Sequence, residues 1–383
     1  MNENNYPSID ILFLNEKDLI KCGVKNMKNC IDKMEEHFSL IGKGDYRMGG
    51  LNGNEHGLKM SFPEKSEIKD FPLNKPDYRF MAMPAYLGGN FHTCGIKTYG
   101  SNQENRKKGL PRSVLMLQLL DSETGSPYSY MSANLISSMR TGAVPGLGIR
   151  HLSIENPETA SIIGPGVMGR TAALAISAEK ESVKTIKIKG RSQKGIDDFI
   201  SFCKENCPSF KNFIVCSSIE ECVKDSDIIY FGTTNAAKFE ENPFLDEKWI
   251  KNGALVISTS ALLMNHENWG DEEKYRLVCD DYKMYTGWGK GQIHPTQKTV
   301  STLIGMAFFD AVTEKIISEK QIIEIGDIVN KKIPARTNDK QIIIFAVGGM
   351  PTEDIAWGRT LYENAVKQKI GTKLNLWEKP EWS

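Results

Sequence analysis

Apolar residues recur at helical spacing between residues 17 and 41, through Leu19, Ile20, Val24, Met27, Ile31, Met34 and Phe38. A short apolar run just before them, residues 9–14, reads as a strand. The chain then turns polar and glycine-rich (GKGDYRMGGLNGNEHGLKMSFP), which predicts two edge strands with turns at Gly49-Gly50 and Asn52-Gly53. Three strand-like runs follow at residues 79–83, 93–99 and 113–120. The third opens onto DSETGSP, a hairpin signal, and a further run at 128–131. Consecutive hairpins imply an antiparallel or mixed sheet. Residues 132–152 predict a helix whose Gly142, Ala143, Gly146 and Gly148 permit close packing against its neighbours.

From residue 159 to about 330 the rhythm changes to alternating strands and helices. Strands are predicted at 160–163, 185–189, 213–216, 227–231, 254–258 and 276–279, and helices at 168–180, 193–206 and 218–225. Such alternation predicts an α/β domain with a doubly wound parallel sheet and ligands at the C-terminal ends of its strands. The aromatic, glycine-rich stretch 282–295 reads as a structural crossing between domains, with His294 in a turn before a proline. In the tail, a strand-like run at 342–347 leads into Gly348-Gly349 and then an amphipathic helix. Thr352, with Glu353 and Asp354 nearby, suits the N-terminal cap of that helix. The last residues look extended, and the tail is expected to return to the N-terminal domain. The division this suggests is residues 1–145, completed by 336–383, as one domain and 146–335 as the other.

Length agrees with this division, since 383 residues exceed one ordinary core. Lysine plus arginine balance aspartate plus glutamate at 48 each, so no overall field favours nucleic acid or an anionic membrane. No apolar run approaches the ~20 residues of a membrane span. The opening MNENNYPSID lacks the basic-then-apolar form of a secretory signal, so a cytoplasmic location is expected. Eight cysteines without a CxxC pair read as free thiols, and six dispersed histidines give no metal-binding spacing.

The candidate chemistry centres on TASIIGPGVMGR, residues 159–170. Strand, glycine turn (Gly164, Gly166, Val167, Met168, Gly169) and helix follow in the order of a dinucleotide-binding fingerprint. Gly164 makes the tight turn, Gly166 lets backbone N–H groups approach a pyrophosphate, and Gly169 lets helix and strand pack closely. The free N–H groups at the helix start favour an anion. After the second strand the sequence is KGRSQK, with Arg191, Ser192 and Lys194 and no acid. Since a carboxylate there suits a ribose 2′-hydroxyl and a cation suits a 2′-phosphate, NADP(H) is favoured, with NAD(H) possible. Thr233, Thr234 and Asn235, and Thr259 and Ser260, sit at the ends of later strands as further cofactor ligands. Lys97 interrupts an apolar strand, where an ammonium group is functional unless it escapes to a sheet edge. Arg140 and Thr141 offer a guanidinium fork and a hydroxyl to a carboxylate or phosphate. Arg47, His56 and Lys59 lie in the glycine-rich loop, either as ligands or as solvated charge.

Several segments together resemble the ornithine cyclodeaminase/mu-crystallin family: MPAYLGG, GIK, KGLP, DSETGSP, SSMRTGAV, IIGPGVMGR, the TT of GTTN, and AVGGMPTEDIA. The resemblance spans nearly the whole chain. It implies a homodimer with a Rossmann domain, a split substrate and dimerisation domain, a nicotinamide cofactor and a small amino-acid or imine substrate. It further implies that Lys97 is the active-site lysine, that Arg140 binds the substrate carboxylate with Thr141 near the cofactor phosphates, and that Val347 and Gly348 close on the substrate. Arg47 is the best match to the family's first carboxylate-binding arginine, with Lys59 as the alternative. Two positions depart from the pattern. Leu262 stands at or near the place of the aspartate that ornithine cyclodeaminases use in ring closure. Arg112 replaces the threonine that often follows GLP and adds a cation on the cofactor-binding side. The implied activity is an NAD(P)-dependent amino-acid or imine oxidoreductase. Alternatives are ornithine cyclodeaminase proper and a non-catalytic, NADPH-dependent small-molecule binder.

Overall fold

The computed structural model describes residues 7–50 and 52–382. Met1 to Tyr6, part of the segment read above for targeting, lie outside the described residues. The chain divides into two compact units: residues 1–26, 45–137 and 350–383 form the first, and 27–44 and 138–349 the second.

In the first unit an eight-stranded sheet runs in the order Thr372–Trp377, Ile9–Leu14, Pro127–Ser132, Ser113–Asp121, Thr93–Ser101, Arg79–Leu87, Tyr46–Met48, with Leu58–Met60 also paired to Arg79–Leu87. Its pairs are antiparallel except Ile9–Leu14 with Pro127–Ser132. The predicted hairpins are therefore present, and the C-terminal segment does return here as an edge strand. The helical pattern expected over 17–41 forms two helices, Glu16–Lys21 in this unit and Met27–Ile41 in the second. Gly23, at φ 91°, supplies the left-handed residue that ends the first.

Alternation of side chains puts Met81, Met83, Ala85 and Leu87 on one buried face of their strand. The helix Pro351–Gln368 packs on this face. Gly95 and Gly358 set how closely it approaches. A methyl group built on Gly95 would lie 2.8 Å from Ile355 Cγ1 and 3.0 Å from Gln118 O, and one on Gly358 would overlap Leu117 Cδ2.

The second unit is built on an entirely parallel sheet. Its order is Asn212–Val215, Thr185–Lys189, Thr159–Ile163, Ile228–Phe231, Leu255–Ser258, Ile342–Ala346, Tyr275–Cys279, Ile322–Glu324. Strand order reverses between Thr159–Ile163 and Ile228–Phe231, which is where a doubly wound sheet opens a crevice. The six expected strands are present. The run expected to start the returning tail is instead a central strand here, between Leu255–Ser258 and Tyr275–Cys279. Its unbroken burial explains this, because Ile342 to Ala346 are all buried as a two-sided parallel strand requires. The division at residue 336 thus differs from the observed one at 349/350. The segment at 282–295 also differs from expectation. Residues 282–289 form a helix, Tyr282–Gly289, inside the second unit, with Tyr282, Met284 and Tyr285 in its core.

Among the described residues, no helix is long and apolar enough to cross a membrane. All eight cysteines are free thiols. Gly95→Val is expected to wedge the Pro351–Gln368 helix off the sheet and lower stability by about 1–3 kcal/mol, as overpacking does; denaturant unfolding of the purified protein measures this.

Candidate active site

Lys97 lies mid-strand, in register with Met83 and Leu117, on the sheet face that the Pro351–Gln368 helix covers. It is only 2% exposed. A buried ammonium group needs an acceptor, because desolvation penalises the charge heavily. Asp354, in the first turn of that helix and fully buried, provides one, with Lys97 Nζ 2.5 Å from Asp354 Oδ2. The helix start favours carboxylates by its free N–H groups and dipole, and Glu353 uses the same feature by accepting the Met350 N–H at 3.0 Å. The cap differs from the expected one. Met350 occupies the cap position with extended backbone, Pro351 follows, and Thr352 is buried inside the first turn. Sequence reading placed Asp354 in a cap and missed its pairing with Lys97; four-residue spacing from Asp354 to Gly358 on one helix face was the available signal.

Sheet register separates the two candidates for the first carboxylate-binding cation. Arg47 pairs with Tyr86, whose side chain lies on the face opposite Met83 and Lys97. Its Nη1 donates to Tyr46 O at 2.7 Å. Lys59 pairs with Met81 and therefore shares the face of Met83 and Lys97. His56 precedes that strand, in the turn region. Arg112 lies 3.3 Å from Asp77 Oδ2, and Asp77 also pairs with Arg79 and accepts the Ser101 hydroxyl at 2.8 Å. Burial, together with the charges of Arg79 and Arg106, pushes the Arg112 guanidinium below its ordinary range.

In the second unit each glycine of the fingerprint has a distinct geometric role. Gly164 has φ 98°, and a Cβ there would lie 2.6 Å from Gly232 O in the neighbouring loop. Gly166 caps the helix Val167–Glu179 in extended conformation and faces open space. A Cβ on Gly169 would run into Gly164 O. Val167 is exposed and Met168 half-buried at the helix start. These features fit a dinucleotide: an uncovered helix N-terminus beside a backbone stripped of side chains. Arg191, Ser192 and Lys194 are exposed at the end of Thr185–Lys189, and among the described residues Arg191 and Lys194 form no ion pair. Ser192 Oγ caps the following helix by accepting the Gly195 N–H at 3.3 Å.

Loops after the next two strands are tied to each other. The Thr233 N–H donates to Ser260 Oγ at 3.0 Å, Thr259 Oγ1 and Tyr230 OH are 2.6 Å apart, and Asn235 Oδ1 accepts the Ala261 N–H at 3.3 Å. Thr234 is exposed beside them. Four of the expected cofactor ligands (Thr233, Asn235, Thr259 and Ser260) thus also serve to fix the sheet edge.

Arg140 and the half-buried Thr141 sit on the helix Asn134–Leu152. Gly142, next in the chain, allows this helix to touch the Val167–Glu179 helix, since a Cβ there would overlap Thr171. Arg140 is 6% exposed. Complete burial of His37, with the Arg140 charge beside it, pulls the His37 imidazole down to about 3, so His37 is neutral at physiological pH. The turn after Ile342–Ala346 meets Arg140: a Cβ on Gly349 would lie 2.7 Å from Arg140 Nη1. Val347 is buried and its N–H donates to Ser258 O at 3.0 Å.

Asp280, a residue that sequence reading passed over, holds this turn. Its Oδ2 accepts the N–H groups of Gly348 and Gly349 at 2.7 and 2.8 Å, and its Oδ1 accepts the Asp281 N–H at 3.0 Å. Burial raises its carboxyl to about 6, and the backbone N–H groups oppose that rise. Leu262 is buried in the core, while His266 and His294 each lie 2.8 Å from an oxygen of Glu314. Among the described residues, no group of three or more His, Cys, Asp or Glu could hold a metal ion.

The reversed strand order, the glycine turn at the reversal and the open helix start define a Rossmann-type dinucleotide-binding fold. The chain belongs to the ornithine cyclodeaminase/mu-crystallin family, whose model matches residues 23–369. It is similar to N-((2S)-2-amino-2-carboxyethyl)-L-glutamate dehydrogenase of Staphylococcus aureus, with 26% identity over 369 residues, 96% of this chain and 99% of the relative. The solved structure of Thermococcus litoralis Delta(1)-pyrroline-2-carboxylate reductase in complex with NADH and L-proline shares the fold, with TM-score 0.73 and 23% identity, covering 94% of this chain and 99% of that one. So does an archaeal alanine dehydrogenase dimer with bound NAD, with TM-score 0.74 and 21% identity, covering 96% and 100%.

Removing one partner of a buried ion pair leaves the other charge under-compensated, at a cost of about 3–5 kcal/mol. Asp354→Ala is therefore expected to destabilise the protein by roughly that amount, whereas Asp10→Ala, whose pair with Lys373 is at the surface, is expected to change stability far less; parallel denaturant titrations make the comparison.

Proposed function

We propose that this protein is an NAD(P)-dependent oxidoreductase that interconverts an amine and an imine on the α-carbon of a small carboxylate compound. The observation that carries this reading is Lys97, a buried lysine held at 2.5 Å by Asp354 and matched by the sequence resemblance to the family's active-site lysine. In this reading Arg140 binds the substrate carboxylate through its guanidinium fork. Lys97 stabilises charge at the reacting nitrogen and moves a proton as amine and imine interconvert. Lys59, rather than Arg47, supplies the second carboxylate contact, since it shares the Lys97 face of the sheet. A bound nicotinamide supplies the hydride acceptor or donor. The relatives named above support this class, because their names denote dehydrogenases and a reductase of amino acids or imines. The lyase alternative has less support, since Leu262, a core residue, stands at or near the position of the cyclodeaminase aspartate.

The cofactor's helix N-terminus, glycine turn and strand-end hydroxyls accept either nicotinamide dinucleotide. Arg191 and Lys194, which form no ion pair among the described residues, favour NADP(H), although the two structural relatives hold NADH and NAD. Assembly as a homodimer is part of the same proposal. Phe80, Val114, Tyr130 and Leu374 are 36–48% exposed on the sheet face opposite Lys97, an apolar surface suited to a second copy. A site in the cytoplasm remains the expectation from the N-terminal sequence.

The test is nicotinamide oxidation with a panel of cyclic imino acids and of 2-oxo acids paired with amines. Turnover with at least one, and a loss of at least 100-fold in kcat/KM for Lys97→Ala, are expected. Cofactor binding without turnover across the panel overturns the reading in favour of a binder. Ammonia and proline from ornithine without net cofactor change overturn it in favour of the lyase. Arg191→Ala is expected to weaken NADPH binding about 10-fold or more while changing NADH binding little, measured by cofactor fluorescence.

A further inference from the structure

Asp280 is a fully buried carboxylate, on neither the glycine turn nor the Lys97 face, and hydride chemistry alone gives it no task. It follows directly on the Tyr275–Cys279 strand, beside Ile342–Ala346 in the sheet. Both strands end at the same edge, so the carboxylate reaches the turn leaving the neighbouring strand. One oxygen, Oδ2, accepts two consecutive main-chain N–H groups, Gly348 and Gly349. Neither glycine can be exchanged without displacement. A Cβ on Gly348 would lie 2.5 Å from Met284 Cε and 2.9 Å from Tyr285 OH, and Gly349 has φ 81°. The turn is thus clamped on one side by Asp280 and packed on another by the Tyr282–Gly289 helix. Its second glycine touches Arg140, whose Nη1 fills the space a Gly349 side chain would need.

We infer that Asp280 is a positioning residue: by fixing the Gly348-Gly349 backbone it fixes the guanidinium of Arg140, and so sets the affinity for the substrate carboxylate. This rests on the reading of Arg140 as the carboxylate ligand. The physical chain is short, running from carboxylate to two charge-assisted main-chain bonds to a glycine whose missing Cβ would lie 2.7 Å from the guanidinium. Asparagine at 280 keeps the shape but loses the charge. It also presents an amide donor where the Asp281 N–H now donates, so the side chain cannot satisfy both ends of the site.

The experiment compares wild type with Asp280→Asn by three readouts. The first is steady-state kinetics with whichever substrate the panel identifies. The second is nicotinamide-cofactor affinity by fluorescence. The third is the rate at which phenylglyoxal labels Arg140, mapped by mass spectrometry. Arg336 serves as the internal control, since it donates to three carbonyl oxygens elsewhere in the same unit. Expected are a KM at least 10-fold higher with kcat within about threefold, unchanged cofactor affinity, and at least fivefold faster labelling of Arg140 with Arg336 unaffected. Wild-type labelling of Arg140 in the variant overturns the inference. So does faster labelling of both arginines with a lowered melting temperature, which marks Asp280 as a general fold residue. If wild type turns over nothing in the panel, the oxidoreductase reading fails by itself, and the labelling comparison still decides the role of Asp280.

Discussion

A lysine in the middle of an apolar strand is the constraint around which the first unit is arranged. Lys97 stays buried because a carboxylate is brought to it from a helix more than 250 residues later in the chain. That carboxylate is itself tolerable in the core because it sits in the first turn of its helix, where free N–H groups and the dipole offset the cost of desolvation. The helix reaches the sheet because Gly95 and Gly358 leave no side chains in the way. Ion pair, helix start and glycine contact meet on one face of the sheet.

Much of this was visible in the chain itself, although unevenly. The glycine fingerprint was legible because two of its glycines answer separate steric demands, a positive φ at Gly164 and a close approach to Gly164 O at Gly169, while Gly166 faces open space. The parallel sheet was legible from its alternation. Lys97 stood out because an ammonium group among Cys94, Ile96 and Tyr99 contradicts its surroundings. Asp354 did not stand out, since an acid near a helix start has an ordinary local explanation and its partner is remote in sequence. Asp280 was hidden for a related reason. Its ligands are main-chain N–H groups, which carry no residue identity for a pattern to reveal.

The boundary between units was misplaced where burial overrode rhythm. Ile342 to Ala346 follow a long irregular stretch and precede a helix that belongs to the first unit, so they read as the start of a returning tail. Pairing between two buried strands places them at the centre of the second sheet instead. Register likewise separates two candidates that residue type alone could not. Arg47 is the better chemical match for a carboxylate ligand, but a one-residue change of parity puts it on the far face from Lys97, while Lys59 is on the near one.

The central claim is that chemistry occurs at the α-carbon of a carboxylate compound, with Lys97 serving its nitrogen. Deuterium transfer from nicotinamide cofactor labelled at C4, followed by proton and carbon NMR of the product, tests it most directly. The account predicts deuterium at the α-carbon alone, at one atom per turnover, and its disappearance in Lys97→Ala. Deuterium at another carbon, or a product formed with none while the cofactor is oxidised, contradicts it.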